Sequence, residues 1–290
     1  MSDTILTLFS ITALVKNIPE KKMPELPEVE TVARELRAVL PGKKIRSLEL
    51  YWEKTFEHQD APPLPGQRFG TIGRQGKYLL LNLDKSVLVI HLRMTGQLLV
   101  RRSGQQARHS HDRVRFLLDD GLELIFRDSR KFGRIRHVLS AEPLLRKLGT
   151  DAMDQKLTAA LFGSMLQKSA MNIKAFLLSQ KYIAGLGNIY VDEALFLSAL
   201  HPLTPAREVS GAEPLFNNIR LVLQRSIDNM GSTISDYRNT KGNEGLNQRY
   251  FNVYGRQGLP CKKCGGPIEK IRVAGRGTHI CPRCQQRGKT

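Results

Sequence analysis

Three carboxylates and two prolines are packed into Met23-Pro24-Glu25-Leu26-Pro27-Glu28-Val29-Glu30. If the chain starts at Met23 and loses that methionine, Pro24 becomes a terminal secondary amine beside the Glu25 carboxylate. Such an amine attacks a sugar or carbonyl carbon and gives an iminium, while the carboxylate moves protons. Held in a peptide bond, the same nitrogen has its lone pair in amide resonance and is inert. Residues 1–22 are therefore expected to be an extension upstream of the true start, with Pro24 and Glu25 as the first catalytic candidates. A plainer reading stays open: Pro27 suits a first helical turn, and Glu28 and Glu30 suit its positive end.

A second constellation lies at the other end of the chain. All four cysteines fall in Cys261-x-x-Cys264 and Cys281-x-x-Cys284, the spacing of a metal ribbon. Cys261, Cys264, Cys281 and Cys284 are expected to hold one structural Zn²⁺, closing its coordination shell and leaving no position for an activated water. Two disulfides are the alternative. They fit poorly, because no export signal is present: the apolar run Ile5 to Val15 has no Lys or Arg before it and no small-residue cleavage site after it.

Lys and Arg outnumber Asp and Glu by 45 to 27, a formal charge of +18, which calls for a polyanionic partner. Nucleic acid is the expected one. An anionic membrane surface is the rival, but no basic amphipathic helix supports it, and no apolar run is long enough to cross a bilayer.

Three loops carry side chains suited to a nucleic acid. His91-Leu92-Arg93-Met94-Thr95-Gly96 ends one strand, and Arg127-Asp128-Ser129-Arg130-Lys131-Phe132-Gly133 ends another. Met94 and Phe132, set among cations, could wedge into a base stack; each could equally be a core side chain at a strand end. Between two helical patterns, Gly185-Leu186-Gly187-Asn188 offers Asn188 as a cap and backbone N–H groups to a phosphate. It lacks the strand and third glycine of a dinucleotide fingerprint, and a plain helix–helix turn is the simpler reading. Lys77 and His91 say little individually.

The elements that must position these groups are legible as periodicities. Val29, Val32, Leu36 and Val39 recur at helical spacing between Pro27 and Leu40, ended by Pro41-Gly42, so this helix should lay an apolar stripe on a sheet. The sheet follows in short runs: 45–51, 68–72, 78–83, 87–92, 97–100, 114–118, 122–127 and 135–139, with Asp120-Gly121 as a hairpin turn. Such frequent strands read as an antiparallel sandwich or flattened barrel. After about Leu148 the pattern turns helical, over 161–167, 171–180, 189–200 and 214–230, the last stopped by Gly231. The ribbon should form a hairpin, 268–273 and 278–280, with Arg276 projecting from the tip Ala274-Gly275-Arg276-Gly277. The fold expectation is thus α+β: an antiparallel β-sandwich with a flanking N-terminal helix, a helical domain, and a zinc-ribbon hairpin. The segments are 1–22, 23–148, 149–254 and 255–290.

Taken together and in order, the proline motif, His-Leu-Arg-Met-Thr-Gly, Asp-Ser-Arg-Lys-Phe-Gly, Gly-Leu-Gly-Asn-Ile-Tyr and the four-cysteine ribbon resemble the bacterial formamidopyrimidine-DNA glycosylases. The resemblance covers Met23 to about Gln286. It implies a β-sandwich, a helix-two-turn-helix domain and a zinc finger, with double-stranded DNA in the cleft between the halves. It implies a bifunctional glycosylase and abasic-site lyase of base excision repair, acting on oxidised purines such as 8-oxoguanine and formamidopyrimidines. In that scheme Pro24 attacks C1′ of the everted nucleotide, Glu25 assists protonation and ring opening, and β,δ-elimination cuts the strand. Lys77 would serve the catalytic pocket, while His91, Asn188 and Arg276 would hold phosphates, Arg276 reaching the catalytic group as well. Met94, Arg130 and Phe132 would form the wedge, and Glu28 would support the lesion pocket. A monomer in the bacterial cytoplasm, on the nucleoid through its DNA, is the expected setting.

Two departures qualify the likeness. Ser129-Arg130-Lys131 stands where the family commonly has Pro-Arg-Arg, which keeps the reading arginine. The stretch 237–248 matches the lesion-recognition loop only by position and glycine content. The endonuclease VIII branch shares the proline, the helical turn and the ribbon, but the Glu-Leu-Pro-Glu-Val-Glu run and Met94 favour the purine-specific branch. If residues 1–22 are retained, the same chain would instead be a non-catalytic zinc-containing lesion binder.

Overall fold

The computed structural model describes residues 23–287, so the expected extension 1–22 lies outside the described residues. The first helix, α1 (Leu26–Val39), is built as its spacing predicts, and its two ends serve different domains. Val29, Val32, Ala33 and Leu36 join the core of the sandwich, whereas Leu26, one turn earlier, is fully buried in the core of the helical half. The start of α1 is therefore pinned at the junction of the two halves.

Nine strands follow: β1 (Ile45–Leu50), β2 (Phe56–His58), β3 (Phe69–Gln75), β4 (Tyr78–Leu83), β5 (Val87–His91), β6 (Gly96–Arg102), β7 (Asp112–Leu118), β8 (Leu122–Asp128) and β9 (Arg134–Val138). They make two sheets, β1-β7-β8-β6 and β2-β9-β5-β4-β3. Alternation sends Leu79, Leu81 and Leu83 of β4 and Val114, Phe116 and Leu118 of β7 inward, which is what a two-layer sandwich requires. Strand β5 is buried on both faces and reads as a continuous apolar run. Its outer face, with Val87 and Val89, is covered through Leu144 of the short helix α2 (Glu142–Leu145).

Two expectations are corrected here. The sandwich is not wholly antiparallel: β2, a three-residue strand too short to show a period, pairs in parallel with β9. The hairpin of the ribbon is also tighter than its sequence suggested, as described below.

The helical half begins with β10 (Thr150–Asp151) and continues through α3 (Ala159–Gln167), α4 (Ile173–Leu178), β11 (Ile183–Ala184), α5 (Asn188–Leu197) and α6 (Ala212–Asp228). Strands β10 and β11 form a small parallel pair. Helix α6 ends in a Schellman motif, with Met230 N–H to Ile227 C=O at 3.0 Å and Gly231 N–H to Ser226 C=O at 2.7 Å. The left-handed position after the cap is Met230 (φ 59), and Gly231 (φ 79) follows it, so the stop uses both residues. The ribbon adds β12 (Glu269–Val273) and β13 (Arg276–Ile280), paired Val273 to Arg276. Its turn is only Ala274-Gly275, both at positive φ, so Arg276 is the first residue of a strand beside the tip rather than part of the tip.

Candidate active site and nucleic-acid interface

Helix α5 organises the site. Its N-cap is Gly187, not the expected Asn188, which is the first helical residue. The free N–H groups of its first turn do meet an anion, but that anion belongs to the chain: Ile189 N–H donates to Glu25 Oε1 at 3.0 Å and Tyr190 N–H to Oε2 at 3.5 Å. The positive end of α5 thus holds the Glu25 carboxyl. A methyl on Gly187 would lie 2.2 Å from the Glu25 carboxyl carbon, and one on Gly185 would lie 2.5 Å from Leu26. The Gly-Leu-Gly turn is therefore the space into which the first residues of α1 dock.

Asn188 instead ties the turn to the ribbon, its Nδ2 donating to Gly277 C=O at 2.8 Å. Further along α5, Asp192 accepts from buried Lys174 Nζ and, at 2.9 Å, from His279 N–H of β13. Glu193 accepts the N–H groups of Asn252, Val253 and Tyr254 at 2.9–3.0 Å. One helix thus fixes Glu25, the ribbon hairpin and the approach to the ribbon. Sequence reasoning passed over Tyr190, Asp192 and Glu193; the available signal was an acidic pair inside an otherwise apolar helix.

Glu28 is the second hub. Its carboxylate accepts from the Glu25 N–H at 2.9 Å, from Ser232 N–H at 2.7 Å and from the Tyr190 hydroxyl in a short bond. Gly231 gives it room, since a methyl there would come within 3.0 Å of Glu28. Burial pushes the Glu28 carboxyl up to about 7, Glu25 adding to the rise while the Tyr190 hydroxyl and the Ser232 and Glu25 N–H groups oppose it. Burial also raises Glu25, against the pull of Lys77 and of the α5 N–H groups. Lys77, buried on the turn between β3 and β4, is driven down by burial, held up by Glu25 and Glu28, and pressed further down by Arg276. The titrating groups expected in a catalytic pocket are thus within electrostatic reach of one another.

Pro24 is buried and lines a cleft shared with Glu28, Met94, Ile189, Ser232 and Tyr237. In the chain as described its nitrogen is the amide nitrogen of the Met23-Pro24 bond. Tyr237 closes the side of this cleft, with its hydroxyl 3.2 Å from Met230 C=O. The segment beyond it returns to the first half, where Asn239 Nδ2 and Thr240 N–H donate to Glu35 at 2.9 and 2.8 Å.

The two wedge loops are joined by Asp128, which is fully buried. It accepts from Thr95 Oγ1 in a short bond, from Arg130 N–H at 3.1 Å and from Gly133 N–H at 2.7 Å. A methyl on Gly96 or on Gly133 would run into the Phe126 ring at 2.9 or 2.4 Å, so both glycines close over one core aromatic. Phe132 is 50% exposed and Arg130 lies over its ring at 5.7 Å, while Met94 is half-buried at the Pro24 cleft. Neither is the fully buried core side chain that a strand end could have supplied. His91 is buried, its Nδ1 accepting the Arg93 N–H at 3.0 Å. Burial, and then Arg93 and Lys77, lower it to about 3, so it is a neutral imidazole whose Nε2–H is left as a donor.

The four cysteines are free thiols whose sulfurs all lie within 4.8 Å of one another, with Cys264 to Cys281 at 3.4 Å and Cys261 to Cys284 at 3.9 Å. Tetrahedral zinc with sulfur at about 2.3 Å needs sulfur–sulfur edges of about 3.8 Å. Cys261, Cys264, Cys281 and Cys284 therefore fit one structural Zn²⁺. No described helix is long and apolar enough to cross a membrane.

Comparisons with known proteins agree with this geometry along the chain. Residues 23–135 match the model of the formamidopyrimidine-DNA glycosylase N-terminal domain, residues 148–238 that of the H2TH domain of the same glycosylase, and residues 258–287 a zinc finger found in FPG and IleRS. A formamidopyrimidine-DNA glycosylase of Bacillus licheniformis is 41% identical over 277 residues, covering 91% of this chain and all of the relative. One from Chloroflexus aurantiacus is 45% identical over 274 residues, covering 91% and 98%. Among solved structures, the Lactococcus lactis Fpg bound to abasic-site DNA superposes with a TM-score of 0.82 at 36% identity, covering 91% of this chain and all of that one. The wild-type enzyme of that organism bound to DNA containing N7-benzyl-Fapy-dG gives the same TM-score and identity.

Proposed function

This chain belongs to the formamidopyrimidine-DNA glycosylase family, and from that premise we propose how its own residues excise oxidised purines from DNA and cleave the abasic strand. The observation that carries the proposal is the buried Glu25 carboxyl, held at the start of α5 beside Pro24 with its proton affinity raised.

Pro24, as a terminal amine, bonds to C1′ of the everted nucleotide, and the base departs with the glycosidic electrons and takes up a proton. Glu25 then delivers a proton to the ring oxygen, opening the sugar to an iminium. Loss of a C2′ proton expels the 3′ phosphate, loss of a C4′ proton expels the 5′ phosphate, and water then hydrolyses the iminium to free Pro24 from the sugar fragment. Lys77 and Arg276 bring positive charge to this pocket, which disfavours protonation of the amine and keeps its lone pair available. Glu28 holds the Glu25 N–H, the donor of the peptide that links Pro24 to Glu25, and so orients the nucleophile.

His91, Asn188 and Arg276 grip the phosphates around the lesion. Met94 and Phe132, with Arg130, fill the gap left by the everted base. The partner is double-stranded DNA with an oxidised purine or an abasic site, bound by a monomer on the bacterial nucleoid in the cytoplasm.

The test compares a protein that begins at Pro24 with one that keeps residues 1–23, each verified by intact mass. Borohydride reduction with an 8-oxoguanine duplex is expected to trap only the first. Pro24→Gly should bind the duplex and trap nothing. Trapping by the protein with residues 1–23 attached would overturn Pro24 as nucleophile and leave the family reading intact; absence of duplex binding by either would overturn both.

A further inference from the structure

The segment that walls the Pro24 cleft is tied along α1 at two points. Its near end is Ser232, whose N–H donates to Glu28 at 2.7 Å. Its far end is the bend Asn239-Thr240, whose donors converge on Glu35, about two helical turns beyond Glu28 on the same face of α1. Between these carboxylates, about 10 Å apart along the helix axis, run Ile234, Ser235 and Tyr237, which line the cleft with Pro24. The base of the segment closes on the end of α6, with Leu246 N–H to Asn229 C=O at 2.9 Å and Asn247 N–H to Gly231 C=O at 3.0 Å. Its tip crosses to the sandwich. Gln97 Nε2 of β6 donates to Asp236 C=O at 2.5 Å and Val100 N–H to Thr240 C=O at 3.0 Å, so the bend also covers the edge strand of the sheet β1-β7-β8-β6.

Every group of the bend that bonds to Glu35 is a donor. Asn239 Oδ1 takes the N–H of Lys241 at 3.1 Å and of Asn243 at 2.8 Å, so its amide is fixed with Nδ2 toward Glu35 Oε1 at 2.9 Å. Glu35 Oε2 takes the Thr240 N–H at 2.8 Å and the Thr240 hydroxyl at 2.7 Å. Only a group that accepts at both ends satisfies this set. An amide in the same place turns its own NH₂ toward one of these donors. Asn239 and Thr240 are buried, so a donor left unmet there is costly and the bend shifts instead. Tyr237 precedes Asn239 by two residues, so a shifted bend moves the ring that closes the cleft.

The two reactions of the cleft draw on this wall differently. Removing a base requires the everted base to be held between the wall and Pro24, whereas a ready-made abasic site brings no base to hold. We propose that Glu35, which touches no reacting atom, is a positioning residue for base removal: it fixes the 232–240 wall against which the base is presented to Pro24. This rests on the excision reading above, and it divides the two steps of that reading.

Single-turnover rates of zinc-loaded protein beginning at Pro24 test the assignment. Glu35→Gln should slow release of 8-oxoguanine from duplex DNA about tenfold or more, and cleave a ready-made abasic site at close to the wild-type rate. Asn239→Asp, which sets a second carboxylate against Glu35, should do the same. Glu35→Gln/Asn239→Asp reverses the direction of one hydrogen bond and keeps the shape, so the pair should recover most of the rate that either change loses. A wild-type excision rate in Glu35→Gln, an equal fall on both substrates, or a double variant no faster than the single ones would each overturn the role of Glu35 and leave the excision reading intact. Wild-type protein inactive on both duplexes would overturn that reading and this role with it.

Discussion

Glu28 shows how one side chain links fold and chemistry. Its folded value of about 7 lies above the ordinary 4.5, so the folded state binds the additional proton between those two values. That contribution favours folding fully below about 4.5 and is lost as pH rises through about 7, an effect of about 3 kcal/mol. Glu28→Gln removes the titration and keeps the shape. Denaturant unfolding at about pH 5 and about pH 8 should show the wild type losing about 2 kcal/mol more than the variant over that interval, most of the full effect; equal losses would place the proton elsewhere. Phe132 bears on a different step. Eversion costs a few kcal/mol of unstacking, which an exposed aromatic beside Arg130 helps supply. Phe132→Ala should therefore slow release of 8-oxoguanine from duplex DNA about tenfold or more, and slow cleavage at a ready-made abasic site much less. Single-turnover rates on the two substrates check this. Both residues stood out in the sequence, but that Phe132 is exposed rather than a core side chain is something no periodicity records.

Among the elements, α5 matters most. Its apolar run made it legible as a helix, yet its working side chains are the polar ones that interrupt that run. The sequence offered its N-terminal N–H groups to a phosphate or to a plain helix–helix turn, and could not show that Glu25, more than 160 positions earlier, accepts from two of them. Gly187→Ala tests that arrangement: the added methyl would occupy the space of the Glu25 carboxyl. The variant should fold, bind duplex, and lose about 100-fold or more of its excision rate, the range of a displaced acid–base group. Normal kinetics would mean that Glu25 does not act from this position. Most strands were readable because alternation reports a half-buried face, and β5 because a short apolar run reports a strand buried on both. The exception, β2, has three residues and pairs in parallel with a strand far along the chain, so neither period nor neighbourhood betrayed it.

For the molecule as a whole, the two halves are joined by shared parts rather than by a smooth interface. Helix α1 contributes Leu26 to one core and Val29 to the other. Arg74 of β3 pairs with Glu30 of α1 and Asp151 of β10, a tie in which three elements meet. The ribbon is held the same way, through Asn188 and Asp192 of α5. Removing its zinc should therefore act at a distance: chelation is expected to release β12 and β13, take Arg276 from the cleft, and weaken duplex binding about 10- to 100-fold, the worth of one charged contact. Fluorescence anisotropy alongside a zinc-release assay would show the two losses together, and zinc loss with unchanged affinity would refute the coupling. What the sequence by itself determined are the features written into spacing: the ribbon ligands, the amphipathic α1, the alternating strands, the basic charge and the order of the motifs. Spacing reports local geometry, and each of these is local. Only the tertiary structure decided which anion α5 receives, which N–H Glu28 holds, and that Glu35 meets Asn239 and Thr240, because those contacts join residues whose separation along the chain carries no information about their distance in space.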